Sequence, residues 1–350
     1  MEPSTRPLVE DLTGDPEIAR HFAAEAELAA MLRFERELAE AQAALGLVPA
    51  EAAAAIGRAI ENLSWPSAAA GVQQGMARDG VPVPALVRAL RAAVDEPHAA
   101  FVHGGATSQD VVDTGLMLRL RAVLAELQTR LGTLLASLDA LAARDGTIAV
   151  MAQTRMQAAL PFTASDKIAT WRAPLAGVLR RLDERARHLP LQLGGPIGTG
   201  DSFGSRFAEL RAELAGRLGL ADAAPWHSDR TPILDMAQLF ALLNGTLGKI
   251  GQDLALLAQS DRGAIRLAGG GGSSAMAHKS NPVGAEALVA LGRFNAGLLG
   301  LLAQSLIHEN ERSGAAWTLE WMVLPQMAEA SGAALRIADE LLRGARFQKP

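Results

Sequence analysis

An all-α fold built from long packed helices is what this sequence predicts, and three observations predict it. Hydrophobic residues make up 49% of the chain. Alanine and leucine dominate, and both cost little entropy in a helix. From Met117 the apolar positions run Leu120, Leu124, Leu127, Leu131, Leu134, Leu138 and Leu141, alternating steps of three and four without a miss. Met236, Phe240, Leu243, Leu247, Ile250, Leu254 and Leu257 repeat the pattern. A repeat of about 3.5 residues is the seam of supercoiled, nearly parallel helices.

Taken in chain order, residues 17–46 read as a helix that stops at Gly46 with Pro49 beyond it. Residues 50–62 and 83–95 read as shorter helices. Between them, Ser64–Gly80 reads as loop, because it carries Trp65-Pro66 and several glycines. Residues 1–95 are thus expected to form a small helical N-terminal domain, and 96–350 a central long-helix bundle. In the second part, helices are expected at 110–144, 162–188, 204–219, 283–310 and 320–346, besides the second seam. A helix over 110–144 would be roughly 50 Å long at ~1.5 Å per residue. Helices of that length call for a bundle shared between subunits, with a monomeric all-α bundle as the alternative.

Composition excludes several classes. There is no cysteine, hence no disulfide and no thiolate zinc site. The formal net charge is −5, and no Lys/Arg run suggests nucleic acid as a partner. The start, MEPSTRPLVEDLTGD, is acidic and lacks the apolar core of a secretory signal. The longest charge-free apolar stretch, Phe294–His308, is too short to span a membrane. A cytoplasmic protein is expected.

Three polar segments interrupt the helical text. The first is His103-Gly-Gly-Ala-Thr107-Ser108-Gln109-Asp110, followed by Asp113-Thr114. Ser, Thr and Asp ahead of a long helix serve as N-caps. The same geometry, with free N–H groups and a positive dipole end, makes a carboxylate site. Capping alone and anion binding fit this segment equally. The second is Met151-Ala-Gln153-Thr154-Arg155-Met156-Gln157-Ala158-Ala159-Leu160-Pro161, where Arg and Gln stand either at an exposed bend or in a site. The third is Gly269-Gly-Gly-Gly272-Ser273-Ser274-Ala275-Met276-Ala277-His278-Lys279-Ser280-Asn281-Pro282. A plain linker would not follow four glycines with Ser-Ser, His, Lys and Asn. A mobile active-site lid accounts for them better, since backbone N–H groups freed of Cβ atoms converge on an anion while Lys supplies charge.

In this order the three segments resemble the signature regions of the fumarase/aspartase superfamily. The third region matches at Gly272, Ser273, Ser274, Met276, Lys279 and Asn281, with Ala277 in place of the family proline. The first matches at His103, Thr107, Ser108 and Asp110. The second matches at Thr154, Gln157, Ala159 and Pro161, but Arg155 replaces the family histidine and Ala158 a proline. Within the superfamily, Pro225-Trp226-His227-Ser228 and the stretch His308-Glu-Asn-Glu311-Arg312-Ser313 with Trp317, Glu320 and Trp321 are similar to bacterial 3-carboxy-cis,cis-muconate cycloisomerases. The family's usual small C-terminal domain is expected to be absent.

The resemblance implies a homotetramer, with each active site drawing segments from three subunits. It implies a small tricarboxylate substrate and no cofactor or metal. Ser273 is implied as the proton-transfer group, with Lys279 and Asn281 beside it as catalytic residues. His103, Thr107, Ser108, Asp110, Thr154, Arg155, Gln157, Ser274, Met276, His278 and Arg312 are implied at the substrate, with Arg230 a weaker choice. Two alternatives stand beside this reading. One is a lyase acting on a succinyl-type substrate such as adenylosuccinate or argininosuccinate, for which Arg155 is the wrong residue. The other is a non-catalytic helical assembly protein, which the retained Ser273, Lys279, Asn281, Thr107 and Asp110 argue against.

Overall fold

The computed structural model describes residues 7–63, 65–268, 270–272, 274–276 and 279–349, with the backbone alone at 65–67. Two short helices, α1 (Glu10–Thr13) and α2 (Pro16–Ala19), lead into α3 (Ala24–Ala44), which ends at Gly46 with φ +66°. The helix expected over 17–46 is therefore broken by a 3-10 turn at Arg20–Phe22. Next come α4 (Ala50–Asn62), α5 (Trp65–Asp79) and α6 (Val83–Ala93). Helix α5 corrects the expectation of a loop at 64–80, of which Ser64 lies outside the described residues. Ala68 and Val72, four residues apart, bury one face of α5. Gly75 lies so close to Ala85 on α6 that a Cβ would not fit. That glycine permits close helix contact and is no turn signal.

The long seam forms α7 (Ser108–Asp145), about 57 Å long at ~1.5 Å per residue. A hairpin follows, β1 (Ala149–Thr154) paired antiparallel with β2 (Gln157–Thr163). Then come α8 (Ala164–Arg187), α9 (Phe207–Leu218), α10 (Thr231–Leu257), β3 (Ile265–Arg266), α11 (Val283–Leu302), α12 (Gly314–Gly344) and β4 (Arg346–Phe347), which pairs with β3. Helix α12 starts six residues earlier than expected because buried Ser313 caps it, accepting from the Ala316 N–H at 3.1 Å.

Five of these helices make the bundle. Every leucine of the α7 seam is at most 1% exposed, on a helix that packs against α8 and α12. Burying a leucine is worth about 1.5–3 kcal/mol, so this seam contributes heavily to the core. Helices α10 and α11 approach most closely, through glycines. A Cβ on Gly251 would sit 2.6 Å from the Ala285 carbonyl oxygen, and one on Gly292 would sit 3.0 Å from that of Asn244. A second core joins α3–α6 to α9, with Leu191 and Leu193 between them.

By length and composition, Val283–Leu306 could cross a membrane: it has 24 residues and a mean hydropathy of 1.4. The sequence reading missed this by starting the apolar stretch after Arg293. In the fold the segment is a bundle helix packed on α10 and α12. Phe294 and Leu301 are each 45% exposed on its outer side.

Candidate active site

At the N-terminal end of α7 the chain is drawn into one tight polar knot. Thr107 is the cap, in extended conformation, and its N–H donates to Asp110 Oδ2 at 3.1 Å. Asp110 is fully buried and accepts four further hydrogen bonds. Gly195 N donates to Oδ2 at 2.9 Å, while Gly194 N, Gln192 Nε2 and His227 Nε2 reach Oδ1 at 2.8, 3.0 and 3.1 Å. Both carboxylate oxygens are spent on the protein. Asp110, expected at the substrate, is in this chain buried and engaged by protein donors.

One turn further in, Arg230 grips two carboxylates. Its Nη1 and Nη2 donate to Asp113 at 2.8 and 3.2 Å, and its Nε and Nη2 donate to Glu320 at 2.9 and 2.7 Å. All three side chains are sealed from solvent. Burial works against the guanidinium charge, but Asp113 and Glu320 outweigh it and hold Arg230 above its ordinary range. Burial raises Glu320, and Arg230 pulls against that. Trp317 Nε1 adds a donor to Asp113 at 2.9 Å, and the Arg230 guanidinium lies 4.8 Å from the Trp226 ring centroid. Arg230 is therefore no substrate ligand, which corrects the weaker expectation for it.

Gln109 links this cluster to Arg312. Its Nε2 donates to Asp113 Oδ2 at 3.1 Å and to the His227 carbonyl at 2.8 Å, while its Oε1 accepts from Arg312 Nε at 2.7 Å. Arg312 Nη2 reaches the Pro196 carbonyl at 3.1 Å. The guanidinium is thereby held to the residue that follows Ser108, and Thr107 and Ser108 are both half-buried at the helix start. His103, Thr107, Ser108 and Arg312 share this end of the molecule.

The segment ahead of α7 is clamped as firmly. Gly105 has φ +79°, and a Cβ there would lie 2.7 Å from the Phe203 ring. Ser202 Oγ donates to the Gly105 carbonyl at 2.6 Å, and Gln42 Nε2 to that of Gly104 at 2.9 Å. His103 Nδ1 meets Glu35 Oε1 at 2.6 Å.

The other expected residues lie elsewhere. Thr154, Arg155 and Gln157 are exposed at the tip of the β1–β2 hairpin. Arg155 and Met156 form its two-residue turn with φ +49° and +68°. That turn ordinarily takes Asn-Gly, because a Cβ is strained at positive φ. The hairpin springs from the C-terminal end of α7: the Ala164 N–H bonds to the Ile148 carbonyl, and the Ile148 N–H to that of Asp145. Arg262 Nη1 donates to Gln153 Oε1 at 3.2 Å and so ties the stretch ahead of the third segment to the hairpin. Gly271 and Asn281 exchange backbone hydrogen bonds of 2.9 and 2.8 Å, closing the neck of a loop that carries exposed Ser274, Met276 and Lys279. Ser273 and His278 lie outside the described residues. The β3–β4 ladder and the Phe347 N–H on Asp145, at 3.0 Å, keep this end together. The first segment is thus separated from the second and third by the length of α7.

Sequence reasoning missed Glu35, Gln109, Gln192, His227 and Glu320. Glu35 carried a signal. On α3 the positions Leu28, Met31, Glu35, Leu38 and Gln42 again step by three and four, so two polar groups stand on an apolar seam. Glu320 and His227 were marked only by the family resemblance, and Gln192 carried no signal, since their partners come from distant segments.

The lyase family model matches residues 14–293. The chain belongs to that family, the fumarase/aspartase lyases. Among its lyase relatives is the 3-carboxy-cis,cis-muconate cycloisomerase of Pseudomonas aeruginosa, 39% identical over 332 residues, with 92% of this chain and 72% of that protein covered. The nitrosuccinate lyase of Streptomyces davaonensis is 37% identical, with 91% and 70% covered. The crystal structure of the 3-carboxy-cis,cis-muconate lactonizing enzyme from Pseudomonas putida superposes with a TM-score of 0.88 at 33% identity, covering 98% of this chain and 78% of that one. The helical bundle described above is this lyase architecture.

Proposed function

We propose that this lyase-family enzyme is a cycloisomerase that converts 3-carboxy-cis,cis-muconate to 4-carboxymuconolactone, in the protocatechuate branch of aromatic breakdown. One substrate carboxylate oxygen forms a C–O bond across a ring-closing distance to one carbon of a double bond. The electron pair of that double bond moves to the neighbouring carbon, alpha to another carboxylate, which takes a proton. No atoms are lost. The costly species is the intermediate with its extra charge spread onto a carboxylate, and stabilising that charge is the largest catalytic contribution. The α7 N-terminus with Thr107 and Ser108, the fixed Arg312, and Lys279 and Asn281 supply the donors. Ser273 moves the proton, a role it takes from the resemblance. Asp110 positions.

The observation that carries this reading is Arg155. It stands where lyases of the family hold a histidine, exposed on a strained turn and without a partner among the described residues. An arginine stays protonated and cannot act as general acid. In this ring closure the attacking group is a carboxylate, and in the reverse direction it leaves as one, so it needs no proton, only a cation, and a guanidinium offers two parallel hydrogen bonds. A lyase acting on a substituted succinate is the second reading, favoured by the similarity to nitrosuccinate lyase. Arg155 suits it too wherever the leaving group departs as a stable anion.

The complete site belongs to a homotetramer. Its support is geometric: the α7 N-terminus and the hairpin-and-loop end cannot meet within one chain. Exposed Leu242, Phe294, Leu301, Ile307 and Met322 offer apolar surface for contact between copies. Light scattering is expected to give four chains per particle, and a stable monomer would end the shared-site reading. An ultraviolet assay with the tricarboxylate diene, run beside nitrosuccinate, adenylosuccinate and argininosuccinate, tests the reaction. Loss of diene absorbance with lactone formation is expected. Turnover confined to a succinate would overturn the assignment.

A further inference from the structure

The contact between Glu35 and His103 is costly in three ways that folding alone does not explain. Glu35 lies on the buried seam of α3 between Met31 and Leu38, with its side chain 1% exposed. One oxygen, Oε1, meets His103 Nδ1 at 2.6 Å, and the other, Oε2, is buried with no partner among the described residues. A half-satisfied buried carboxylate destabilises a core that a leucine would fill better. His103 itself sits at φ +61°, a left-handed conformation that strains any residue with a Cβ. Such costs persist where the surroundings over-determine them, and functional sites are where they collect.

The surroundings do over-determine this segment. From α3, Gln42, seven residues after Glu35, holds the Gly104 carbonyl at 2.9 Å. From α6, Arg91 Nη2 holds the Val102 carbonyl at 3.1 Å. A carboxylate only accepts, so the hydrogen of this contact sits on His103 Nδ1. Nε2 is the nitrogen left over. It has no partner among the described residues, and the ring keeps 15% of its side-chain exposure four residues ahead of the Thr107 cap.

We propose that Glu35 is a positioning residue: it anchors the His103 ring through Nδ1 and gives it a counter-charge, so that Nε2–H is presented to a substrate carboxylate at the N-terminus of α7. The inference rests on the reading of that helix start as a carboxylate site. The charged groups around the ring are Glu35 from α3, Asp110 from α7 and Arg91 from α6. Burial lowers the imidazole, but the hydrogen bond and charge of Glu35, helped by Asp110 and opposed by Arg91, hold it above its ordinary value. His103 therefore keeps its positive charge to higher pH than a free imidazole and loses it as the pH rises through its raised midpoint.

The test is a titration of ring-13C-labelled histidine by NMR in the native enzyme and in Glu35→Gln, with His103→Asn assigning the signal. In the native enzyme the His103 midpoint is expected above that of free imidazole. In Glu35→Gln it is expected to fall, and the alkaline limb of kcat/KM for the tricarboxylate moves to lower pH with it. At pH 8 the variant then runs several-fold below native, and it recovers toward native at pH 6. Adding Glu35→Gln to His103→Asn costs nothing further in kcat/KM. A native midpoint at or below that of free imidazole overturns the proposal, and needs no variant that folds. So does a midpoint that Glu35→Gln leaves unmoved, or a kinetic loss that is equal at pH 6 and pH 8 and persists in the His103→Asn background. If the native enzyme leaves the tricarboxylate untouched, the reaction assignment fails, while the titration still decides the role of Glu35.

Discussion

The two ends of α7 are built on opposite terms. At the N-terminal end the carboxylates behind the helix start are tied up by the protein: Asp110 takes five donors, and Asp113 and Glu320 share one sealed guanidinium. At the C-terminal end the expected site residues stand out in solvent, on a two-residue turn and a loop closed by one backbone bridge. The first end is a finished wall that needs something to face it. The second is a set of chemical groups that one chain gives no wall. In the proposed homotetramer, the second end of one copy faces the first end of another.

The sharpest break between the ends comes from single substitutions. Ser273→Ala is expected to lower kcat about 10²–10⁴-fold, the usual worth of a positioned acid–base group, with an unchanged melting temperature. Near-normal turnover would take Ser273 out of the chemistry. At the opposite end, Asp113→Ala should act on stability first. It leaves Arg230 buried with one carboxylate instead of two, and losing one partner of a buried pair costs about 3–5 kcal/mol. Denaturant unfolding checks this, and a loss under 1 kcal/mol would mean that water enters and repairs the cluster.

Arg155→Met is expected to invert that pattern. It should cost about 2–5 kcal/mol in kcat/KM, as for removing one member of a charge pair across an interface. Stability should hold within about 0.5 kcal/mol, as for an exposed side chain. Activity within twofold of native would reduce Arg155 to a surface charge and remove the main argument for a cycloisomerase over a histidine-dependent lyase. The mildest test mixes chains. Arg312→Met and Ser273→Ala damage opposite ends, so co-refolded mixtures should regain activity that neither variant has alone. Mixtures no better than their parents would show that one chain supplies both ends of a site.

The sequence by itself determined the all-α bundle. Steps of three and four over the α7 and α10 seams fix a helix period that no strand can satisfy, and every seam leucine is buried. It also marked the three segments, because Gly, Ser, Thr and Lys interrupt an apolar text. Local chemistry misled in two places: glycines at 71–80 signalled a loop where Gly75 allows α5 to touch α6, and the bend at 155 hid a hairpin. Only the tertiary structure decided which residues work together. Asp110 and Arg230 share the residue types of substrate ligands, and what excludes them is the partners they meet from segments about a hundred residues away. Glu35 shows the same limit from the other side. Its place on an apolar seam was legible, but its partner His103 is 68 residues distant. A helix period records which face is buried, while the pairing of charges across that face depends on how the helices are laid against one another.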